Sequence, residues 1–403
     1  MKKRRLMLLG GIRYLLPVIE TAHKYGYHVI TVDYIPDNIA HKYSDEYHNV
    51  SILDKEAVLE LAQELQIDGI LSFAVDPGVV TAAYVAERMG LPFSCSYHSA
   101  CILQNKALFR QFLADNGFNV PTAKGYHSVE TALRDMDFFR WPVIVKPTDS
   151  AGSKGVTKVD CPEDLRGAAE LAFASSHSNS IIIEDYLEKS GFSSGSESFF
   201  IDGKLMFNGF YDQYFDEKAA NPYTPSAECW PADKPESVLN EVRSELQRLG
   251  DLLHFGTGLF NVEWRVCTDG KVYLMEVSPR AGGNRLAEIL NYATNVDLIN
   301  AEVRKAMGEK MYDIREPSFN GCYAIQVLHS YSDGFFEKIE IDPLFEKKNL
   351  IEKEIRVSKG EWISSFIGAN SAIGTLFVKA DSRVKMNYLL ENINNYVRIS
   401  FAE

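Results

Sequence analysis

Apolar and polar positions divide the chain into stretches of different rhythm. Over the first ninety residues, short continuous apolar runs alternate with amphipathic ones. Leu6-Met7-Leu8-Leu9 is the first run and stops at Gly10-Gly11. Val29-Ile30-Thr31-Val32 is the second, closed by Asp33 and Pro36, and residues 69–73 form the third. Between them, residues 17–25, 55–65 and 79–89 carry a helical period, the last ended by Gly90 and Pro92. A strand that is apolar throughout is covered on both faces. Strands of that kind alternating with helices predict a parallel sheet.

The middle of the chain is more mixed. Helical periods cover residues 101–113, 131–139, 161–173, 236–253, 286–290 and 297–307. Strand patterns cover 143–146, 181–184, 197–201 and 204–211, and 258–266 with 271–277 read as a hairpin around Thr268-Asp269-Gly270. Residues 218–234, punctuated by Pro222, Pro225 and Pro231, read as one long loop. Beyond 312, strands at 321–329, 350–357 and 373–379 and a helix at 383–396 read as a small α+β module. The fold expected is α/β. An N-terminal parallel-sheet domain spans 1–95, a two-lobed α+β domain spans 96–312 with its smaller lobe at about 119–187, and the C-terminal module spans 313–403.

Composition narrows the function. A chain of 403 residues exceeds one ordinary core, and 46% hydrophobic with 24% charged residues is normal for a globular protein. The formal net charge is −13, and the only basic cluster is Lys2 to Arg5, so nucleic acid is not an expected partner. That start has the order of a short signal peptide. The apolar run breaks at Gly10-Gly11 and Arg13 with no small-residue cleavage site, and it reads instead as a buried strand. No apolar stretch approaches the roughly 20 residues of a membrane span, so no membrane partner is expected. Six cysteines are scattered without a C-x-x-C pair. That favours neither a zinc site nor a disulfide framework and makes a reducing cytoplasm the default.

Three places carry candidate chemistry. In Trp141-Pro142-Val143-Ile144-Val145-Lys146-Pro147 a strand ends in a lysine, and Thr148-Asp149-Ser150-Ala151-Gly152-Ser153-Lys154-Gly155-Val156 follows. Small residues there let backbone N–H groups point at phosphate oxygens, beside the fixed charge of Lys146. In Ile181-Ile182-Ile183-Glu184-Asp185-Tyr186-Leu187 an apolar strand ends in two acids before a linker that can offer backbone groups to an adenine edge. On the hairpin, Glu263 and Glu276 would sit on facing strands, with Arg280 just beyond. Two carboxylates aimed into one site repel unless a cation lies between them, and magnesium shared with nucleotide phosphates is the usual solution. Arg280 there is placed to contact a transferring phosphoryl group. Taken singly, each has a plain alternative: a turn, a strand end, a pair of surface glutamates. Asp76, in Phe73-Ala74-Val75-Asp76-Pro77-Gly78, ends a strand at the sheet edge where α/β ligands bind and is a candidate substrate contact. The turn Gly10-Gly11-Ile12-Arg13-Tyr14-Leu15 lacks the G-x-G-x-x-G spacing of a dinucleotide site.

In their order the three places resemble the ATP-grasp superfamily. The similarity is to the branch with carbamoyl-phosphate synthetase large subunits, biotin carboxylase and carboxylate–amine ligases, including ligases that make dipeptides. The resemblance implies that Lys106 and Lys146 contact ATP phosphates and that residues 150–156, with Ser150, Gly152, Ser153 and Gly155, close over them. It implies that Glu184, Asp185, Tyr186 and Leu187 hold adenine, chiefly through the backbone of Asp185 and Leu187, with Glu197 near the ribose and phosphates. Glu263 and Glu276 would ligate magnesium or manganese, with two ions expected. Ser278 stands where the family usually has asparagine as a third ligand. Arg280 would stabilise the phosphoryl group in flight. Arg285, in Gly282-Gly283-Asn284-Arg285, is either a bidentate clamp for the substrate carboxylate or a helix-start arginine in a surface pair.

The activity implied is ATP-dependent activation of a carboxylate as an acyl phosphate for attack by an amine. Lys146 and Arg280 would be the catalytic cations. The substrates would be small molecules and the protein possibly a homodimer. A bicarbonate-using enzyme, a nicotinamide oxidoreductase and a non-catalytic nucleotide sensor are the alternatives. Tyr211, Tyr214, Tyr223 and Trp230 are either the lining of a second-substrate pocket or ordinary packing.

Overall fold

A computed structural model describes residues 3–149 and 154–402. The N-terminal sheet is parallel throughout, in the order Glu46–His48, His28–Val32, Arg5–Leu9, Gly69–Leu71. Helices Leu16–Lys24, Lys55–Leu65 and Asp76–Met89 follow its strands. Local chemistry sets their ends. Asp54 accepts the Ala57 N–H at the start of the second helix, and Gln66 turns left-handed at its end. The third helix begins three residues earlier than the pattern implied. Asp76 is therefore the first residue of a helix and not the end of a strand, with Pro77 in the first turn, where its missing N–H costs nothing.

A small four-stranded antiparallel sheet, in the order Ala123–Tyr126, Ile181–Asp185, Val143–Pro147, Thr157–Val159, forms a lobe of its own. Helices Val129–Arg134 and Leu165–Ala174 cover it, with Val143, Val145, Ile181 and Ile183 in a separate core.

The largest sheet has eight strands in the order Val272–Ser278, Gly258–Val266, Ser193–Ile201, Lys204–Phe215, Pro225–Trp230, Cys322–Leu328, Gly374–Ala380, Leu350–Ile355. Its two faces are separated by the two-residue period of a strand. Phe199 packs toward Leu286 and Leu290, on the side shared with the N-terminal domain. Phe200 packs against Val242 and Leu246 of helix Glu236–Leu252 on the other side. The last three strands come from beyond residue 312, so the C-terminal stretch extends the central sheet through the pairing of Pro225–Trp230 with Cys322–Leu328. A three-stranded sheet of Trp362–Ile363, Gly334–Ile341 and Val397–Phe401 completes it.

Two sequence expectations need correcting. The stretch 218–234 is not one loop: Pro225–Trp230 is a buried strand inside it. Pro225 opens that strand and Pro231 follows it, positions where a missing N–H breaks no central ladder. The helix expected over 101–113 is two helices, Tyr97–Gln104 and Lys106–Asp115, broken at Asn105. The side chain of Asn105 accepts the N–H groups of Ala107 and Leu108, which caps the second helix and puts Lys106 at its first position.

Candidate active site

The cleft lies where the small lobe, the third helix of the N-terminal domain and one face of the central sheet meet. Strand register brings its acids together. Glu276 stands opposite Glu263, and Glu263 opposite Gly195. One step along, Ser278 is opposite Asn261 and Asn261 opposite Glu197. Residues two apart on a strand share a face, so these groups form one floor.

At one end of this floor the charges are paired. Lys146 Nζ is 2.6 Å from Glu184 Oε2, and Arg110 Nε is 2.7 Å from Glu184 Oε1. Burial alone would raise the Glu184 carboxyl, but Arg110 and Lys146 override it and hold it at about 2. Burial holds the Lys146 ammonium below its ordinary pKa. Glu184 opposes that shift and Arg110 reinforces it. Glu184 thus acts through its side chain as the counter-ion that fixes Lys146. The linker after it is partly committed: the Asp185 N–H donates to Thr122 O and the Tyr186 N–H to Pro142 O. An adenine contact at Asp185 cannot rest on its N–H. Leu187 follows, half-buried.

Lys106 Nζ lies 3.3 Å from Glu276 Oε2, and its backbone N–H donates to Thr148 O, tying its helix to the small lobe. Burial works against both charges. Lys106 and then Arg280 nevertheless hold the Glu276 carboxyl low, and Glu276 holds the Lys106 ammonium high. Glu263 opens to solvent at the cleft floor, yet protein surrounds it. Burial and the charge of Glu276 push its carboxyl up. Such a facing pair suits a divalent cation, which would relieve both effects. Among the described residues no group of three His, Cys, Asp or Glu side chains gathers for a metal, so a cation here would complete its shell with phosphate oxygens and water. Ser278 Oγ donates to Asp76 Oδ1 at 3.1 Å and accepts from Gln104 Nε2 at 2.6 Å, which leaves one lone pair for a metal.

Arg280, 7% exposed, is held by Asp76, with Nε 2.8 Å from Oδ1, and by its bond from Nη1 to Ala281 O. Asp76 therefore faces the site as the counter-ion of Arg280 and the acceptor for Ser278. Glu197 is fully buried on the same face. Its Oε1 accepts from Asn261 Nδ2 at 2.7 Å and from the Gly282 N–H at 2.9 Å, and its Oε2 has no hydrogen-bond partner. Only glycine fits at 282, because a Cβ there would come within 2.6 Å of Glu197 Oε1.

Arg285 sits apart from this group. It is bonded to Glu288 and Glu352 and lies over the Phe377 ring. A cavity of about 500 Å³ opens beside it, lined by Arg13, Tyr14, Glu20 and Glu352 and by none of Lys106, Lys146, Glu263 or Glu276. Its placement matches a helix-start ion pair; a substrate carboxylate would have to displace two glutamates. Trp230 and Tyr211 are buried, with ring centres 4.8 Å apart and planes tilted by 46°, while Tyr214 bonds to Asn387. Gly155 turns left-handed, with a φ of +69°. Ser150, Gly152 and Ser153 lie outside the described residues.

Sequence reasoning missed Asn105, Arg110, Gln104, Asn261 and Glu228. The four-residue spacing of Lys106 and Arg110 on one helix face was a usable signal for Arg110. Glu228 had none, because prolines masked its strand.

Two lysines paired with glutamates in a cleft below a small lobe, with facing acids on its floor, make an arrangement whose charges suit a polyphosphate with a cation. Residues 139–288 match the ATP-grasp domain family, so the chain carries an ATP-grasp domain. It is 28% identical over 318 residues to a formate-dependent phosphoribosylglycinamide formyltransferase of Synechococcus sp., covering 77% of this chain and 78% of that one. It is 22% identical over 307 residues to the carbamoyl phosphate synthase large chain of Clostridium beijerinckii, covering 73% of this chain and 27% of that one. Among solved structures, the L-amino acid ligase from Bacillus licheniformis superposes with a TM-score of 0.80 at 20% identity, each chain covered in full. Phosphoribosylglycinamide synthetase from Anaerococcus prevotii gives 0.77 at 19%, again in full.

Proposed function

We propose that the protein is an ATP-grasp ligase that activates a carboxylate as an acyl phosphate and joins it to an amine, releasing ADP and phosphate. The observation that carries the reading is the facing pair Glu263 and Glu276, with Lys106, Lys146 and Arg280 at the same end of the cleft. A carboxylate is a poor electrophile because its charge repels nucleophiles. A carboxylate oxygen attacks the γ-phosphorus of ATP, the bond to the β–γ bridging oxygen breaks, and ADP leaves. The amine nitrogen then attacks the acyl carbon, phosphate leaves, and the nitrogen loses a proton as the amide forms.

The chain's own residues bring two anions together. Lys106 and Lys146 lie against the phosphates, and Arg280, aimed by Asp76, faces the phosphoryl group in transfer. Glu263, Glu276 and Ser278 would hold magnesium or manganese, as one or two ions, and such ions neutralise phosphate charge. The Gly-rich stretch 150–156 would close over the nucleotide and keep water from the acyl phosphate. The residues of the adenine linker are Glu184 to Leu187, with the backbone of Leu187 as the principal contact. All six cysteines are free thiols, in line with a cytoplasmic enzyme, and we extend the reading to a homodimer.

The test is ADP and phosphate release with magnesium and ATP against a panel of amino acids and other carboxylates, with and without amine acceptors. Turnover that requires both a carboxylate and an amine is expected. ATP binding with no turnover across the panel would favour a nucleotide sensor, and turnover on bicarbonate alone a carboxylase-like enzyme.

A further inference from the structure

The face that carries Glu263 continues past the metal-type acids. Gly195 stands opposite Tyr211, and two residues further along Gln213 stands opposite both Ser193 and Glu228. Tyr211 packs flat over Gly195, where a Cβ would meet its ring at 2.4 Å. Glu228 lies at the far end of this floor, 5% exposed, and the one hydrogen bond seen for its carboxylate comes from Asn284 Nδ2 at 2.7 Å. Among the described residues no Lys, Arg or His pairs with it. Of the other cleft acids, the buried Glu184 and the half-buried Glu276 have cations in contact. Burying a carboxylate without a cation is costly, and natural chains rarely keep such a group without use.

A second observation points the same way. The neighbouring Glu197 is fully buried, and its Oε2 has no partner. Glu197 and Glu228 are both anchored to the turn that follows Arg280, one through the Gly282 N–H and the other through Asn284. Tyr211 stands on the strand between those of Glu228 and Gly195, and burial first, then the charges of Glu197, Glu228 and Glu263, push its phenol well above its usual pKa. This end of the sheet face is therefore acidic, and among the described residues no cation is in contact with Glu228.

We propose that Glu228 is the recognition residue for the acceptor substrate: it receives the ammonium group of a primary amine, which the Asn284 turn and Tyr211 orient toward the acyl phosphate formed at the other end. The inference rests on the ligase reading and specifies its nucleophile as a cationic amine, as opposed to a thiol, an alcohol or a neutral amide. As free amine forms, the departing proton has an acceptor at Glu228.

Glu228→Gln keeps the shape and an oxygen for Asn284 and removes only the charge. Hydroxylamine, small and largely uncharged at neutral pH, intercepts acyl phosphates without an ammonium site. In the full-length protein with magnesium, ATP and the active carboxylate of the panel, hydroxamate formation should be unchanged in Glu228→Gln. The KM for amine acceptors (tested with L-amino acids and glycinamide) should rise about 30-fold or more. An unchanged amine KM overturns the proposal. So does loss of hydroxamate formation together with amine transfer, which would make Glu228 a prop for the Arg280 turn. If wild-type protein makes no hydroxamate from any carboxylate, the ligase reading itself fails. Thermal stabilisation by glycinamide then decides the role of Glu228 separately: a shift in wild type that is lost in Glu228→Gln supports an ammonium site, and equal or absent shifts overturn it.

Discussion

At the end of the cleft proposed to hold the phosphates, Arg110 and Lys146 share Glu184, Lys106 meets Glu276, and Arg280 meets Asp76. Three strands from Glu263 on the same sheet face, Glu228 has a single neutral amide, and on the strand next to that of Glu263, Glu197 has an oxygen with no partner. The difference is one of what each end awaits. A site for a polyphosphate must keep its cations in place before the nucleotide arrives, and internal carboxylates hold them without letting them collapse onto one another. A site for a cation can leave its acids unpaired, at a cost in stability that ligand binding offsets. Buried pairs and buried singles thus mark ligands of opposite charge.

The sharpest break of the comparison is at the metal-type acids. Glu276→Ala should lower turnover at least about a hundredfold, because the phosphate charge neutralised by a cation held there is worth several kcal/mol. The fold should persist by circular dichroism. Retained activity would remove Glu276 from the metal assignment.

Next comes the ion triad. Glu184→Gln leaves Arg110 and Lys146 buried without their counter-ion and should cost about 3–5 kcal/mol of stability in urea unfolding at pH 7. The wild-type triad also sets an acid limit. The folded carboxyl titrates at about 2, below its unfolded value near 4.5. Its stabilisation is present above pH 4.5 and lost as pH falls toward 2. In Glu184→Gln that portion of the acid loss should vanish.

The acidic end of the sheet face should show the opposite slope. Burial pushes the Glu228 carboxyl up to about 8. The folded state then holds a proton that the unfolded state has released. Stability falls as pH rises from about 4.5 to 8 and is flat beyond, by up to about 1.4 kcal/mol per pH unit for one such group. Burial pushes the Glu197 carboxyl up to about 8 as well, so nucleotide-free Glu228→Gln should lose one group's share of that decline and keep the other, measured as the unfolding midpoint across the range. A wild-type profile flat from pH 5 to 8 would contradict an unpaired buried acid.

The sequence was informative where chemistry sits beside an unbroken pattern. Lys146 and Glu184 end apolar strands, and Glu263 and Glu276 sit on a hairpin whose turn residues are explicit, so the pairing of their strands was readable; that the two acids face each other was not, because it depends on a register shift between Glu263 and Trp264 that replaces Met275 with Glu276. It was silent where the pattern is interrupted or where partners are distant. Prolines at 222, 225 and 231 hid the strand that carries Glu228. Asp76 lies 204 residues from Arg280 and Arg110 74 from Glu184, and no local rule pairs them. The strands Gly334–Ile341 and Val397–Phe401 pair across more than fifty residues, and alternation in each was too weak to be seen without the partner. Arg285 was legible as an arginine at a helix start; its partner Glu352, on a strand 67 residues away, was not.

The central claim is an acyl phosphate, and the fate of one oxygen tests it most directly. With the active carboxylate labelled with oxygen-18 in both positions, each inorganic phosphate released alongside ADP should carry one labelled oxygen, because the carboxylate oxygen that attacked phosphorus leaves with it. Turnover that yields amide and unlabelled phosphate would contradict the account, since the carboxylate would then have been activated by another route.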